Sequence, residues 1–257
     1  MLKNPMHVSL AAGRPVVGFW HVIQDLAITE TFRHARVDFL VVDMQHLAMS
    51  LEAVERIVIA LQPSDVSVVV RTPVNEPAMI GQILDVGADG VIVPMLNNVD
   101  DVRLAVSAVR YPPEGVRSWG PRRLPHYDSA DDYARNANEN AVVLVQVETA
   151  EALANLDEVV AFPGITGVMV GPTDLAISMG YMHDRKNPAV TEAAMRVLDR
   201  CAEHGVPFGF FAGPLEEALE WLDRGAQIVA CETDAWFIAR GVERLVDAFD
   251  EARRPVT

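Results

Sequence analysis

The sequence predicts an α/β fold, a single (β/α)8 TIM barrel spanning residues 1–257, and three observations predict it. Eight short runs rich in β-branched residues recur along the chain. Stretches with helical periodicity separate them. Eight units in 257 residues come to about 32 residues each, the usual size of a barrel unit. Most of the runs are continuously apolar, as strands buried on both faces by flanking helices should be. The competing architecture is an open doubly wound sheet, which commonly announces itself with GxGxxG after its first strand. This chain has no such motif.

The first run is PVVGFW at 15–20 and the second DFLVVD at 38–43. Ser50 then caps LEAVERIVIALQ, a helix whose Leu51, Val54, Ile57, Val58 and Leu61 share one face. VSVVVR at 66–71 leads to EPAMIGQILDVG, opened by Asn75 and carrying proline in its first turn. DGVIVP (89–94), AVVLVQV (141–147), GVMVG (167–171), VPFGFF (206–211) and AQIVAC (226–231) complete the strands. Gly87, Gly205 and Gly225 fall where helices need a left-handed stop. A final helix at 233–254 carries Trp236, Phe237, Ile238, Leu245 and Phe249, a candidate subunit contact. Two units are longer than the rest, through 110–136 and 181–192. Extra loop of that kind serves a site or a subunit contact.

Charge narrows the function. Lys and Arg number 21 against 36 Asp and Glu, a net of −15, which argues against nucleic acid or an anionic membrane as partner. Cys201 and Cys231 lie in apolar surroundings without metal-type spacing and read as reduced core thiols. The start lacks the long apolar stretch of a signal peptide, and no segment has the roughly 18 apolar residues of a membrane span. The expectation is a soluble cytoplasmic protein.

In a barrel of this type the site lies at the carboxyl ends of the strands. The residues closing the runs are Trp20 and His21, Asp43 with Gln45 and His46, Arg71, Gln146 and Glu148, Thr173 and Asp174, Phe210 and Phe211, and Glu232 with Asp234. Glu148 and Asp174 end consecutive strands, about 4.8 Å apart in a parallel sheet. They fit a Mg²⁺ or Mn²⁺ site with open positions, or two solvated acids at helix N-termini beside the caps Thr149 and Thr173. Asp43 and His46 form a D-x-x-H turn, either a base with its orienting acid or a structural proximity. Arg71 would bind a carboxylate or an oxyanion, or else pair with a neighbouring strand-end acid. His21 is placed to face the pocket. His7, His34, His126, His183 and His204 are assigned to the surface, and Glu232 and Asp234 to capping the last helix. No lysine closes a strand, which disfavours Schiff-base chemistry.

Taken together and in order, these segments resemble the HpcH/HpaI aldolases, class II pyruvate-type aldolases acting on 4-hydroxy-2-oxo acids. The carriers are GFW at 18–20, DFLVVDMQH at 38–46, VVVRTP at 69–73, LDVGADGVIVPMLNN at 84–98, YPPEGVRS at 111–118, VQVET at 145–149 and GPTDLAISMG at 171–180. The resemblance implies a barrel of the phosphoenolpyruvate/pyruvate-domain type. It implies Glu148 and Asp174 as ligands of Mg²⁺ or Mn²⁺, with Co²⁺ as a third candidate, and His46 with Asp43 as the catalytic base dyad. Arg71 would hold the 2-oxo acid and its enolate, Gln146 would line the metal site, and the Thr173 backbone would seat the substrate carboxylate. Trp20 and Phe211 would wall the pocket. Asp85 would reach the site of an adjacent subunit in a homo-oligomer, a hexamer. The substrate pair is a small 2-oxo acid and an aldehyde.

The family's D-x-E-H becomes Asp43-Met44-Gln45-His46 here, which keeps hydrogen bonding at Gln45 and removes a negative charge. His21 replaces a smaller or apolar residue, on the aldehyde side of the pocket. Two alternatives stand beside the aldolase. A CoA-thioester lyase of the citrate-lyase type would need a basic groove, for which Arg110, Arg117, Arg122 and Arg123 are the candidates. A non-catalytic barrel would retain the fold alone.

Overall fold

A computed structural model describes residues 4–62, 64–122 and 129–253. Its strands are β1 (Val16–His21), β2 (Phe39–Asp43), β3 (Ser67–Arg71), β4 (Gly90–Val93), β5 (Val142–Val147), β6 (Gly167–Val170), β7 (Phe208–Ala212) and β8 (Ile228–Thr233). They pair in chain order, all parallel, and β8 returns to β1 to close a barrel. Each apolar run of the sequence overlaps one strand, with β1, β7 and β8 extending one or two residues past theirs. Helices alternate with them: α1 (Pro5–Ala11), α2 (Leu26–Phe32), α3 (Leu51–Leu61), α4 (Pro77–Asp85), α5 (Val99–Val109), α6 (Ala130–Asn140), α7 (Ala150–Ala154), α8 (Leu156–Val160), α9 (Pro172–Ser178), α10 (Pro188–His204), α11 (Leu215–Asp223) and α12 (Asp234–Ala252).

Because strand side chains alternate, the barrel has two cores. Val16, Trp20, Phe39, Val41, Val69, Ile92, Leu144, Met169 and Ile228 fill the interior. Val42, Val68, Val70, Val143 and Val145 pack against the helices. Gly18 makes the interior possible, since a Cβ there would lie 2.5 Å from the Phe39 carbonyl and 2.7 Å from its ring. At the amino ends α1 forms a floor: Met6 is fully buried in the inner core and Leu10 packs against it. Asn4 caps α1, and its oxygen accepts the Ser67 hydroxyl.

Three even strands begin with a side chain that completes the strand before it. Asp38 accepts the Val17 N–H at 2.9 Å, Asp89 the Val68 N–H at 2.8 Å, and Thr166 the Val143 N–H at 3.0 Å.

Most of the helix signals are met. Ser50 caps α3, and Gly87, Gly205 and Gly225 adopt φ of 104°, 66° and 106°. Asn75, however, does not open α4. Glu76 accepts from the Ala78 and Met79 N–H groups, while the Asn75 amide donates to the Asp101 carbonyl of the next unit. Cys201 and Cys231 are buried and unpaired. Among the described residues no helix is long and apolar enough to cross a membrane.

The last helix departs from the pattern. Beyond Asp234, α12 lies almost wholly in solvent, with Trp236, Ile238, Val242, Leu245, Val246 and Phe249 all exposed. Its hold on the barrel is at its root, where Phe237 meets the Phe19 ring edge-on at 5.0 Å.

Candidate active site

Strand parity decides which polar residues share the barrel mouth. Val41 and Val69 belong to the inner core, so Asp43 and Arg71, two residues on, point the same way. Leu144 carries Gln146 and then Glu148 with it, and Phe211 packs against the same inner cluster as Trp20. These residues meet at the carboxyl ends.

Asp43 and Arg71 are register partners on β2 and β3. The guanidinium donates from Nε to Asp43 Oδ1 at 2.9 Å and from Nη2 to Oδ2 at 2.6 Å. Its Cζ stacks 4.3 Å from the centroid of the Trp20 ring. Trp20 in turn meets Phe211 edge-on at 5.0 Å. A buried cation held by a fork and an aromatic face has one orientation. Among the described residues the expected Asp43–His46 hydrogen bond is not formed. Both Asp43 oxygens serve Arg71, and Oδ1 also accepts the Gln45 N–H at 3.0 Å. His46 sits in an exposed bend beyond β2. Adjacent register places the guanidinium within bonding reach of Asp43, and a bidentate charged pair is a strong competitor for one carboxylate.

Glu148 is 1% exposed. Oε1 accepts the Met95 N–H at 2.8 Å and Oε2 the Gln146 amide at 2.5 Å. Burial pushes its carboxyl up to about 7; the Met95 N–H opposes this, the charge of Asp174 adds to it, and Arg71 and Gln146 pull it down. Asp174 stands in the first turn of α9, after the strand paired with β5. Gln146 Oε1 is buried without a hydrogen-bond partner among the described residues. A Cβ at Gly171 would lie 2.7 Å from both Gln146 Nε2 and Glu148 Oε2, so only glycine leaves this cradle open. Two carboxylates that repel each other beside an orphaned amide oxygen fit a hard divalent cation. Among the described residues no cluster of three or more His, Cys, Asp or Glu is assembled, so most coordination positions would fall to other ligands. Of the two threonines, Thr149 caps α7, whereas Thr173 lies inside the first turn of α9, behind the N-cap Gly171.

Two contributors escape sequence reading. Met95 acts through its backbone N–H and sits at φ 58°, an uncommon conformation for a residue with a side chain. Its residue type carries no signal of that role. Arg185, in the long 181–192 segment, donates to the Phe211 carbonyl at 2.8 Å and to Glu217 at 2.9 Å, bracing the wall. There the signal was the length of the loop.

Other placements are corrected. His21 does not face the pocket: its parity is opposite to that of Trp20. It is fully buried, with Nδ1 2.7 Å from Asp234 and Nε2 2.8 Å from Thr29. The cap of α12 is Thr233. Asp234 instead receives His21 and the Val22 and Ile23 N–H groups. Burial raises its carboxyl, and these bonds outweigh burial and hold it below its ordinary value. Glu232 pairs with Arg240. His7 is half-buried rather than on the surface, and burial lowers its pKa.

Asp85 ends α4 at the amino-terminal side of the barrel, the far end of strands that span about 17 Å for five residues. The candidate basic groove lies there too and is already engaged. Arg110 donates to the Asn138 and Gly164 carbonyls, Arg117 to Asp85, and Arg122 lies 3.5 Å from Glu55. Arg123 and His126 lie outside the described residues.

The sequence pattern of the HpcH/HpaI aldolase/citrate lyase family matches residues 17–239. A 4-hydroxy-2-oxo-heptane-1,7-dioate aldolase of Escherichia coli is 35% identical over 250 residues, covering 96% of this chain and 95% of that one. Among solved structures, an HpcH/HpaI aldolase/citrate lyase family protein from Burkholderia cenocepacia superimposes with a TM-score of 0.91 at 30% identity, over 98% of this chain and all of that one. The HpcH/HpaI aldolase of Desulfitobacterium hafniense gives 0.90 at 26% identity, over 97% of each chain.

Proposed function

Since the chain belongs to the HpcH/HpaI aldolase/citrate lyase family, we propose that it reversibly cleaves 4-hydroxy-2-oxo acids to pyruvate, or a related 2-oxo acid, and an aldehyde. The observation that carries this reading is the pairing of a two-carboxylate cradle with a fixed guanidinium in one mouth. Arg71 stands close enough to Glu148 to lower its pKa. A divalent ion held by Glu148 and Asp174, Mg²⁺ or Mn²⁺ with Co²⁺ as a third candidate, would supply Lewis acidity toward the 2-oxo acid.

The chain's own residues supply the rest. Arg71 cannot move away from its fork with Asp43, so its charge is preorganised where the enolate oxygen develops. His46, beyond the strand end, takes the C4 hydroxyl proton as the C3–C4 bond breaks and returns it in the addition direction. Asp43 acts on this chemistry through Arg71. Trp20 and Phe211 exclude water from one side, and the N–H of Thr173, in the first turn of α9, receives the substrate carboxylate. Asp85 acts across a subunit contact in a homo-oligomer of hexamer type, which the uncovered apolar face of α12 supports. The chain forms one barrel domain, with α12 reaching into that interface. Two buried unpaired cysteines suit a reducing compartment, the cytoplasm.

The CoA-lyase alternative draws no support from Arg110 and Arg117, which are engaged at the amino-terminal end of the barrel. The deciding experiment measures pyruvate release from a panel of 4-hydroxy-2-oxo acids with and without Mg²⁺, Mn²⁺ or Co²⁺. Metal-stimulated release from at least one is expected. Silence across the panel, with turnover of a CoA thioester, would replace the aldolase by the lyase.

A further inference from the structure

We propose that Arg117 is a positioning residue that sets Asp85 for use in a neighbouring subunit's site. The proposal rests on the reading of Asp85 given above. Asp85 is an awkward place for a carboxylate. It ends α4, where the helix carbonyls already concentrate negative charge and an acid is disfavoured. An apolar residue would cost less there. The structure instead gathers several features around it.

The Arg117 side chain is 2% exposed and donates from Nη2 to Asp85 Oδ1 at 2.7 Å. The same nitrogen donates to the Tyr133 hydroxyl at 3.2 Å, and the Tyr111 ring covers the guanidinium with its centroid 4.6 Å from Cζ. The Asp85 carbonyl accepts the Arg122 N–H at 2.8 Å. The segment carrying Arg117 is pinned to the end of α5 through Val116 N–H to Ser107 O and Arg117 N–H to Arg110 O, both 2.9 Å. One carboxylate oxygen is therefore held from within.

Among the described residues no hydrogen bond is made to the other, Oδ2. A Cβ at Gly120 would lie 2.9 Å from Asp85 Oδ2, so glycine at that position lets the loop pass close to Oδ2 without crowding it. Asp85 remains 17% exposed despite its buried partner. Val116 and Trp119, both more than half exposed, flank the pair on the same loop. A buried guanidinium that only tied a loop to a helix would not need its partner carboxylate half free. Here the ion pair fixes the carboxylate's direction and leaves it partly exposed beside two exposed apolar side chains. That is how a group meant for a second copy of the chain would be displayed, at the end of the barrel away from its own mouth.

The test is complementation in co-assembled oligomers, with aldol cleavage and size by light scattering as readouts. Arg117→Ala alone should lower kcat about 10- to 100-fold, the scale of a misplaced catalytic group, with oligomer size unchanged. Mixed with His46→Ala it should exceed the weighted mean of the parents, since some sites then join an intact His46 to a correctly set Asp85. Mixed with Asp85→Ala it should not, because no site receives a correctly set Asp85. Arg117→Lys, which keeps the charge and loses the planar guanidinium, replaces Arg117→Ala if that variant does not fold, with the same pattern expected. Rescue of Asp85→Ala by the Arg117 variant overturns the proposal. So does absence of rescue with His46→Ala when Asp85→Ala is itself rescued by His46→Ala. A fully active Asp85→Ala, or one that His46→Ala never rescues, removes instead the reading of Asp85 on which the proposal stands.

Discussion

Asp43 grips Arg71 with both carboxylate oxygens, at 2.9 and 2.6 Å, and among the described residues no carboxylate pairs with His46. The pair spans two adjacent strands at matching register, with both side chains nearly buried. An isolated buried charge is costly, so losing one partner strains the other. Asp43→Asn should therefore lower kcat/KM by about 100-fold and raise KM for the 2-oxo acid, because Arg71 is no longer held in one orientation. Steady-state kinetics decide it. A KM unchanged within error would place Asp43 outside the positioning of Arg71.

Removal of either charged donor from the cradle should be close to complete in effect. Glu148→Gln and Asp174→Asn are each expected to abolish activity while the circular dichroism spectrum stays that of the parent. Calorimetric titration with Mn²⁺ should show binding to the parent alone. Full activity after exhaustive EDTA treatment would end the metal-dependent reading.

For His46 the expectation is kinetic. His46→Ala should reduce turnover at least about 100-fold, as for a positioned general base, and leave Mn²⁺ affinity intact. Loss of metal in this variant would make His46 a ligand and reassign its role.

A pH effect is expected far from the site. Burial pushes the Asp89 carboxyl from its ordinary 3.8 up to about 6, against the pull of the Val68 N–H. As pH rises, the unfolded chain gives up this proton first and the folded chain keeps it until about 6. The folded state binds more protons in that window, so this group costs stability progressively between about pH 4 and 6 and by a constant amount above it. Asp89→Asn keeps an acceptor for the Val68 N–H and removes the titration. Urea denaturation at pH 4, 5, 6 and 7 should show its stability relative to the parent improving up to pH 6 and then levelling. A flat difference across the series would mean that Asp89 ionises normally.

The exposed face of α12 yields an assembly prediction. Leu245→Glu combined with Phe249→Glu places two charges on an apolar face that the barrel itself leaves uncovered. Light scattering should report a smaller species than the parent, with reduced activity if sites are shared between subunits. Unchanged mass would put the subunit contact elsewhere.

Much of this architecture is written locally. A strand's side chains alternate with period two, so runs such as VSVVVR already say that Val69 and Arg71 share a face. Glycine at 87, 205 and 225 marks helix ends because those positions need positive φ. Glu148 and Asp174 close consecutive runs, so adjacency in a parallel barrel brings them together without knowledge of any other contact. The same parity, applied to Trp20, would have turned His21 away from the pocket.

Choice of partner is a different matter, because it depends on which segments closure brings side by side. Asp43 was offered His46 three residues away and Arg71 across a strand gap, and register awarded it to Arg71. His21 meets Asp234 across a sequence separation of 213 once β8 has closed on β1. Met95 contributes only an N–H, a group every residue but proline carries. Arg117 finds Asp85 through a loop whose path no periodicity describes. The sequence by itself determined the strands, their inward faces and the carboxylates at the mouth, since these follow from spacing along one chain. Only the tertiary structure decided which charge each carboxylate meets, since that energy depends on distances between segments that spacing along the chain does not set.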